Sequence, residues 1–312
     1  MNLRGIEFGR VWGASGVQGF FGEGYWYHKW LKPFGLDFHG ATFVAKTTTL
    51  KARAGNMPLR KDWTPRELLP RCIKVYPGRG IALNSVGISG PGAEALLRDG
   101  RWQRRREPFF LSFMSVASSA SERNKELEQF IELLAGYLPS FRAPIGLQIN
   151  FSCPNVGVHS DDLREEIVRA LDIAGALEIP LVPKLNSLVD PSVGFEIGRH
   201  SRCDAICVSN TLPWSSLDSS TRQVTFGRQE SPLAQFGGGG ISGRYLLYNT
   251  LNWIGTARSL GYDKPINGGG GILSSEDAHV VLDVVGPNGS IFLGSIAFLR
   301  PWRVRSIIRR MA

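Results

Sequence analysis

Apolar residues fall along the chain in short runs, at 41–45, 80–83, 109–113, 145–151, 180–183, 205–208, 265–266 and 290–293. The runs are rich in β-branched and aromatic residues and do not alternate with polar ones, the pattern of strands buried on both faces. Segments between them carry another period. In 121–138, Leu127, Phe130, Ile131 and Leu134 recur at spacings of three and four, and 161–177 repeats the pattern through Leu163, Ile167, Leu171 and Ala174. That spacing predicts amphipathic helices. Eight strands alternating with helices over about 250 residues predict an α/β fold, a (β/α)8 TIM barrel forming a single domain over 1–312 with inserted loops. The irregular stretch 215–240, between the sixth and seventh runs, reads as such an insertion. No Ser/Gly/Pro linker divides the chain.

In a barrel of this kind, the residues just after each strand line the mouth. Here the strand exits are Lys46-Thr47-Thr48, Asn84-Ser85, Ser112-Phe113, Asn150 to Cys153, Lys184-Leu185-Asn186, Ser209-Asn210-Thr211, Gly268 to Gly271, and Gly294-Ser295. Lysines and asparagines gathered on one rim predict a ligand site. The glycine-rich exits follow the last two strands, where such barrels commonly bind phosphate through backbone N–H groups. A second glycine run, 237–243, precedes a helical segment. A phosphate-bearing ligand is the expectation.

Composition narrows the classes. The chain has 312 residues, a formal net charge of +9 and 43% hydrophobic residues, values of a globular protein. The excess charge lies in two arginine-rich patches, 98–106 and 300–312, neither at a strand exit. In the second, Val304, Ile307, Ile308 and Met311 recur at helical spacing, which reads as a last barrel helix with a solvated basic face. Nucleic acid is not expected, since no recognition motif accompanies the charge. No apolar stretch is long enough for a transmembrane segment. The four cysteines are scattered and form no C-x-x-C pair, and no His-x-x-x-His spacing occurs, so no metal is expected. A cytoplasmic location follows as the default. Cys203 and Cys207 read as small buried hydrophobes. Cys153 differs: it leaves the fourth run with Pro154 beside it and amides on both sides, placed like a reactive group.

The ordered set Asn150-Phe151-Ser152-Cys153-Pro154-Asn155, Ala45-Lys46-Thr47-Thr48-Thr49-Leu50, Leu83-Asn84-Ser85-Val86-Gly87, Pro183-Lys184, Ser209-Asn210-Thr211, Gly239-Gly240-Ile241-Ser242-Gly243 and Gly270-Gly271-Ile272 resembles the dihydroorotate dehydrogenases. These are FMN-dependent barrels of pyrimidine synthesis. The resemblance runs from Gly13-Ala14-Ser15-Gly16 to Gly294-Ser295, nearly the whole chain. It implies that Cys153 is the base that takes the C5 proton of dihydroorotate while the C6 hydride goes to flavin N5. The membrane-bound, quinone-using class has Ser at that place, so Cys153 points to the soluble class. Lys46, Asn84, Asn150, Asn155, Asn210 and Thr211 match positions that hold the pyrimidine and its carboxylate, a task suited to amides and a cation. Lys184 matches the lysine at the flavin N1/O2 edge, where a fixed cation stabilises reduced flavin. Ala14, Ser15, Gly16, Lys46, Thr47, Ser112, Asn150 and Ser209 match the flavin's surroundings, and Gly243, Gly270, Gly271, Gly294 and Ser295 those of its phosphate. The resemblance admits a homodimer and an electron-transfer partner subunit, and leaves the acceptor open between fumarate, quinone and NAD through a partner.

Three departures from the family's pattern bear on the substrate. The segment after Asn84 reads Val86-Gly87-Ile88-Ser89-Gly90, the loop after Asn155 reads Val156-Gly157-Val158-His159, and Gly13 stands where the family has Asn. Two alternatives therefore stay beside the oxidation of dihydroorotate to orotate. One is a flavin barrel acting on a different cyclic amide or unsaturated acid. The other, which rests on the two arginine-rich patches alone, is a basic binding protein on a barrel scaffold without flavin chemistry.

Overall fold

The computed structural model describes residues 1–151 and 160–311, so Cys153, Asn155 and His159 lie outside the described residues. A hairpin of β1 (Asn2–Leu3) and β2 (Ile6–Glu7) precedes β3 (Val11–Gly13), and α1 (Trp26–Leu31) follows. Two strands, β4 (Ile73–Tyr76) and β5 (Ile81–Asn84), then lead to α2 (Ala93–Asp99). From here strand and helix alternate: β6 (Phe109–Phe113), α3 (Ala120–Tyr137), β7 (Ile145–Asn150), α4 (Ser160–Ala174), β8 (Leu181–Leu185), α5 (Pro191–Gly198) and β9 (Ile206–Val208). After β9 lie β10 (Leu212–Pro213), α6 (Ser219–Phe226) and β11 (Gly240–Gly243), so the insertion is wider than 215–240 and carries strands at both ends. Next come α7 (Tyr245–Ser259), β12 (Ile266–Gly269), α8 (Ser275–Val285), β13 (Ser290–Leu293), α9 (Ile296–Leu299) and α10 (Val304–Met311).

Seven strands form one curled parallel sheet in the order β3-β13-β12-β9-β8-β7-β6. The run at 41–45 makes no continuous strand, but Thr42 bridges Trp12 and Val44 bridges Phe110, both in parallel sense. That segment is thus tied to both edge strands of the sheet. The run at 80–83 behaves otherwise than its apolar pattern predicts. It becomes β5, the centre of a separate antiparallel sheet ordered β10-β11-β5-β4. Ile81, Leu83, Trp214, Leu217, Leu233 and Ile241 bury it under the insertion, so its apolar run looks the same as that of a parallel strand. The place in the parallel sheet goes instead to β3, whose three residues are too few to stand out as an apolar run.

Helix starts follow local chemistry. Ser119 caps α3 by accepting from the Glu122 amide, while the Glu122 carboxylate accepts from Ser119 N, a capping box that satisfies two otherwise unpaired donors. The face bearing Leu127, Phe130, Ile131 and Leu134 is buried, and Phe130 stacks on Phe113 of β6 with centroids 4.0 Å apart. In α10, Val304, Ile307, Ile308 and Met311 are all buried, so the basic tail is a packed helix with a solvated face. Among the described residues no helix is long and apolar enough to cross a membrane.

Strand side chains alternate between the two faces of the sheet with period two. One face packs against the helices. On the other, Trp12, Val44, Phe110, Val182, Cys207 and Phe292 join Leu3 and Phe8 in a separate apolar cluster. Two residues further along the same strands and segments, that period brings Ala14, Lys46, Ser112, Lys184 and Ser209. An apolar floor therefore lies beneath a polar rim.

Candidate active site

At the carboxyl ends of the parallel strands lies a cavity of about 1200 Å3. Ala14, Ser15 and Gly16 enter it after β3, and Lys46 and Thr47 after the bridged segment. Asn150 and Lys184 line it from the ends of β7 and β8. Ser209, Asn210 and Thr211 follow β9; Gly270 and Gly271 follow β12; Gly294 and Ser295 follow β13. Asn84 comes from the antiparallel sheet yet lines the same space. The strand-exit reading thus gathers residues from across the whole sequence into one cavity.

Two predicted residues stand behind the wall rather than on it. Ser112 is fully buried, and its hydroxyl meets the Thr47 hydroxyl at 2.9 Å. Thr47 in turn meets Ser15 Oγ at 2.8 Å, and Ser15 donates to the Ala45 carbonyl at 2.9 Å. The chain Ser112–Thr47–Ser15 fixes the lip between β3 and the bridged segment. Gly243 likewise backs Gly271: a Cβ built on Gly271 would lie 2.8 Å from the Gly243 carbonyl oxygen and 2.6 Å from Leu247 N. With φ of +82°, Gly271 also holds a conformation that side-chain-bearing residues avoid. The backbone therefore runs directly against the start of α7, leaving a cradle of main chain where a side chain would otherwise stand.

Two lysines share the cavity, and both are nearly shut off from water. Lys46 is 9% exposed, lies 4.7 Å from the Phe20 ring centroid and donates from Nζ to the Ser89 carbonyl. Burial lowers its pKa to about 8, with Glu23 and the Cys72 thiol acting in the opposite sense. Lys184 is 6% exposed, with Nζ 5.4 Å from the Phe292 centroid. Burial also holds its ammonium below the ordinary value, against an opposing effect of the Cys207 thiol. Both lysines face one cavity and burial disfavours the charge of each, so an anion bound there would stabilise both ammonium groups. The described cysteines offer no thiolate at neutral pH: burial pushes Cys72 and Cys207 up to about 11 and Cys203 up to about 12.

The amides are held in register by their neighbours. Asn210 Oδ1 accepts from Thr211 N at 3.0 Å. Asn186 donates to the Thr211 carbonyl at 2.8 Å and accepts from Leu188 N at 3.0 Å, locking the β8 and β9 exits together. Asn186 stands at a strand exit visible in the sequence, but its part as a brace is not visible there. Two further features carry no sequence signal. Asn56 donates to the Ser85 carbonyl at 2.8 Å and so supports the Asn84 turn. Arg123 of α3 and Glu166 of α4 form a bidentate pair in the cavity wall, both bonds 2.6 Å. Those partners are 43 residues apart, and only the packing of two helices joins them.

Comparison with known proteins gives a family for nearly the whole chain. A family model described as dihydroorotate dehydrogenase matches residues 2–285. The chain is 28% identical to dihydroorotate dehydrogenase A (fumarate) of Lactobacillus helveticus, over 100% of this chain and 91% of that one. It is 29% identical to the catalytic subunit of dihydroorotate dehydrogenase B (NAD(+)) of Caldicellulosiruptor bescii, over 94% of this chain and 86% of that one. A solved thiamine phosphate pyrophosphorylase from Pyrococcus furiosus aligns over 65% of this chain and 83% of its own length with a TM-score of 0.30 and 13% identity, too weak a likeness to bear on the fold.

Proposed function

The chain belongs to the dihydroorotate dehydrogenase family, and from that membership we propose that it is an FMN-dependent oxidoreductase that converts dihydroorotate to orotate in pyrimidine biosynthesis. The observation that carries the reading is the cavity holding two buried lysines, a set of braced amides and a main-chain cradle at once. We read the parallel sheet as a single-domain (β/α)8 barrel. The bridges from Thr42 to Trp12 and from Val44 to Phe110 support closure, since they tie one segment to both sheet edges.

The residues present suit FMN. Ala14, Ser15, Gly16 and Gly294 keep the side between β3 and β13 free of bulk, as a flat ring system requires. The main chain at Gly270 and Gly271, beside the start of α7, suits a phosphate. Lys184 offsets the negative charge of the reduced cofactor. When bound, FMN would supply the acceptor for the hydride that leaves substrate C6. Cys153 takes the proton from C5, leaving the C5–C6 double bond. Lys46 meets the substrate carboxylate, and Asn84, Asn150, Asn155, Asn210 and Thr211 hold the ring edge, whose donors and acceptors amides can match.

Titrating the purified, FMN-loaded protein with orotate tests the reading: a saturable shift of the visible flavin spectrum is expected. Cys153→Ala should keep bound flavin and orotate binding while turnover is lost. Normal turnover in that variant removes Cys153 as the base. One observation favours a second reading, a flavin barrel acting on another cyclic amide or unsaturated acid. Ser89 turns its hydroxyl inward to the Val86 carbonyl and the Met57 amide, so this departing segment offers backbone rather than a side-chain amide toward Lys46. A flavin-loaded protein that does not respond to orotate selects that reading. The relatives' names contain both fumarate and NAD(+), the second for a catalytic subunit. Anaerobic reoxidation of the reduced protein by fumarate alone would place this chain with the first, and reoxidation only with a partner subunit with the second.

A further inference from the structure

Away from the cavity, α1 and the segments packed beside it present an unusual surface. Trp30 is 74% exposed and Phe34 72%, four residues apart, and none of the residues of α1 is buried. The patch continues in both directions. Trp26, also exposed, donates from its indole to the Leu68 carbonyl at 2.7 Å, bringing exposed Leu68 and Leu69 alongside. In the other direction the backbone at Gly35 presses on that of Trp302, which is 56% exposed. Large apolar side chains left in water at this density mark an interaction surface.

Charge says what it fits. Lys29, Lys32, Arg71, Arg303 and Arg309 are exposed on these same segments. The acids on these segments are already engaged: Glu67 accepts from Arg71 at 2.8 Å, and Asp37 accepts from Arg305 at 3.3 Å and lies 4.0 Å from Lys32. Exposed tryptophan and phenylalanine with cations on the same segments match the boundary between acyl chains and anionic headgroups, where indoles settle and each nearby Lys or Arg adds attraction. We propose that this face docks reversibly on an anionic lipid bilayer, with Trp30, Phe34 and Trp302 entering the interface. The proposal is independent of what the cavity binds.

Sedimentation of the full-length protein with vesicles tests it. Vesicles of equal parts phosphatidylserine and phosphatidylcholine should carry the protein down at low salt, and phosphatidylcholine alone should not. Three of the chain's eight tryptophans lie in the patch, so emission should shift to the blue on binding. About 0.5 M NaCl should weaken binding, since the headgroup attraction is screened. The Trp30→Ser/Phe34→Ser variant should lose about tenfold or more in partitioning. Trp302→Ser gives a second, independent loss should the double variant fold poorly. No binding to anionic vesicles, or equal binding by the variants, overturns the proposal. So does a wild-type dimer that the double variant dissociates without any vesicle binding, which would assign the face to a second copy of the chain.

Discussion

Lys46 is a cation kept almost out of water, and this gives its ligand a pH dependence with a definite sign. Its pKa in the folded chain is about 8, so the ammonium is present below that pH and lost above it. An anion bound against it favours the ammonium and raises that pKa. Affinity for an anionic pyrimidine should therefore be highest below pH 8 and fall by up to about tenfold per pH unit above it, until the bound-state pKa is reached. Orotate titrations of the flavin spectrum between neutral and alkaline pH measure this, and Lys46→Met should flatten the dependence as well as weaken binding. Lys184→Gln should act differently: orotate affinity should change little, while the flavin potential, read by dye-linked titration, should become more negative. Both lysines were legible in the sequence because each directly follows an apolar run. Their desolvation was not, since it depends on Phe20, Ser89 and Phe292 closing over them from elsewhere in the chain.

At the scale of elements, two junctions deserve mutation. Glu166→Ala breaks a bidentate pair whose partners are both largely buried, leaving the Arg123 guanidinium without that carboxylate between α3 and α4. A loss of about 3 kcal/mol in unfolding free energy is expected, read by denaturant titration. Gly271→Ala places a Cβ on Leu247 N at a positive φ, which should cost about 2 kcal/mol or more and weaken cofactor retention on gel filtration. The helices were legible to within a few residues: their apolar spacing is local, and α3 carries its own capping box. The strands were legible only as runs. Nothing in the residues 80–83 distinguishes an antiparallel strand under the insertion from a parallel one under helices, because both are buried on two faces. In contrast, β3 is too short to announce itself, and only its pairing with β13 reveals it.

The whole molecule couples these junctions to ligand. Elements from nearly every part of the chain end at one cavity, so a cofactor bound there cross-links the parallel sheet. At FMN about a hundredfold above its dissociation constant, the folded state should gain about 2.7 kcal/mol, a rise of roughly 5 °C in Tm by differential scanning calorimetry. Lys184→Gln should reduce that rise. What the sequence could disclose at this scale was the convergence of strand ends, because a parallel sheet with crossover helices puts the carboxyl ends of its strands on one side whatever the intervening loops. It could not disclose that one wall of the site comes from outside the parallel sheet.

That second wall has a consequence for how such an enzyme changes over generations. Asn84 and the segment after it ride on the antiparallel sheet, whereas Lys184, Ser209, Gly270 and Gly271 ride on the parallel one, and Gly243 at the end of β11 meets Gly271 where the two join. The two halves of the cavity rest on separate backbones with their own apolar clusters. New substrate preferences can therefore be tried out by recombination, with β4, β5, β10 and β11 exchanged as a cassette that keeps Gly243 behind Gly271, while the rest of the redox half passes unaltered from parent to descendant.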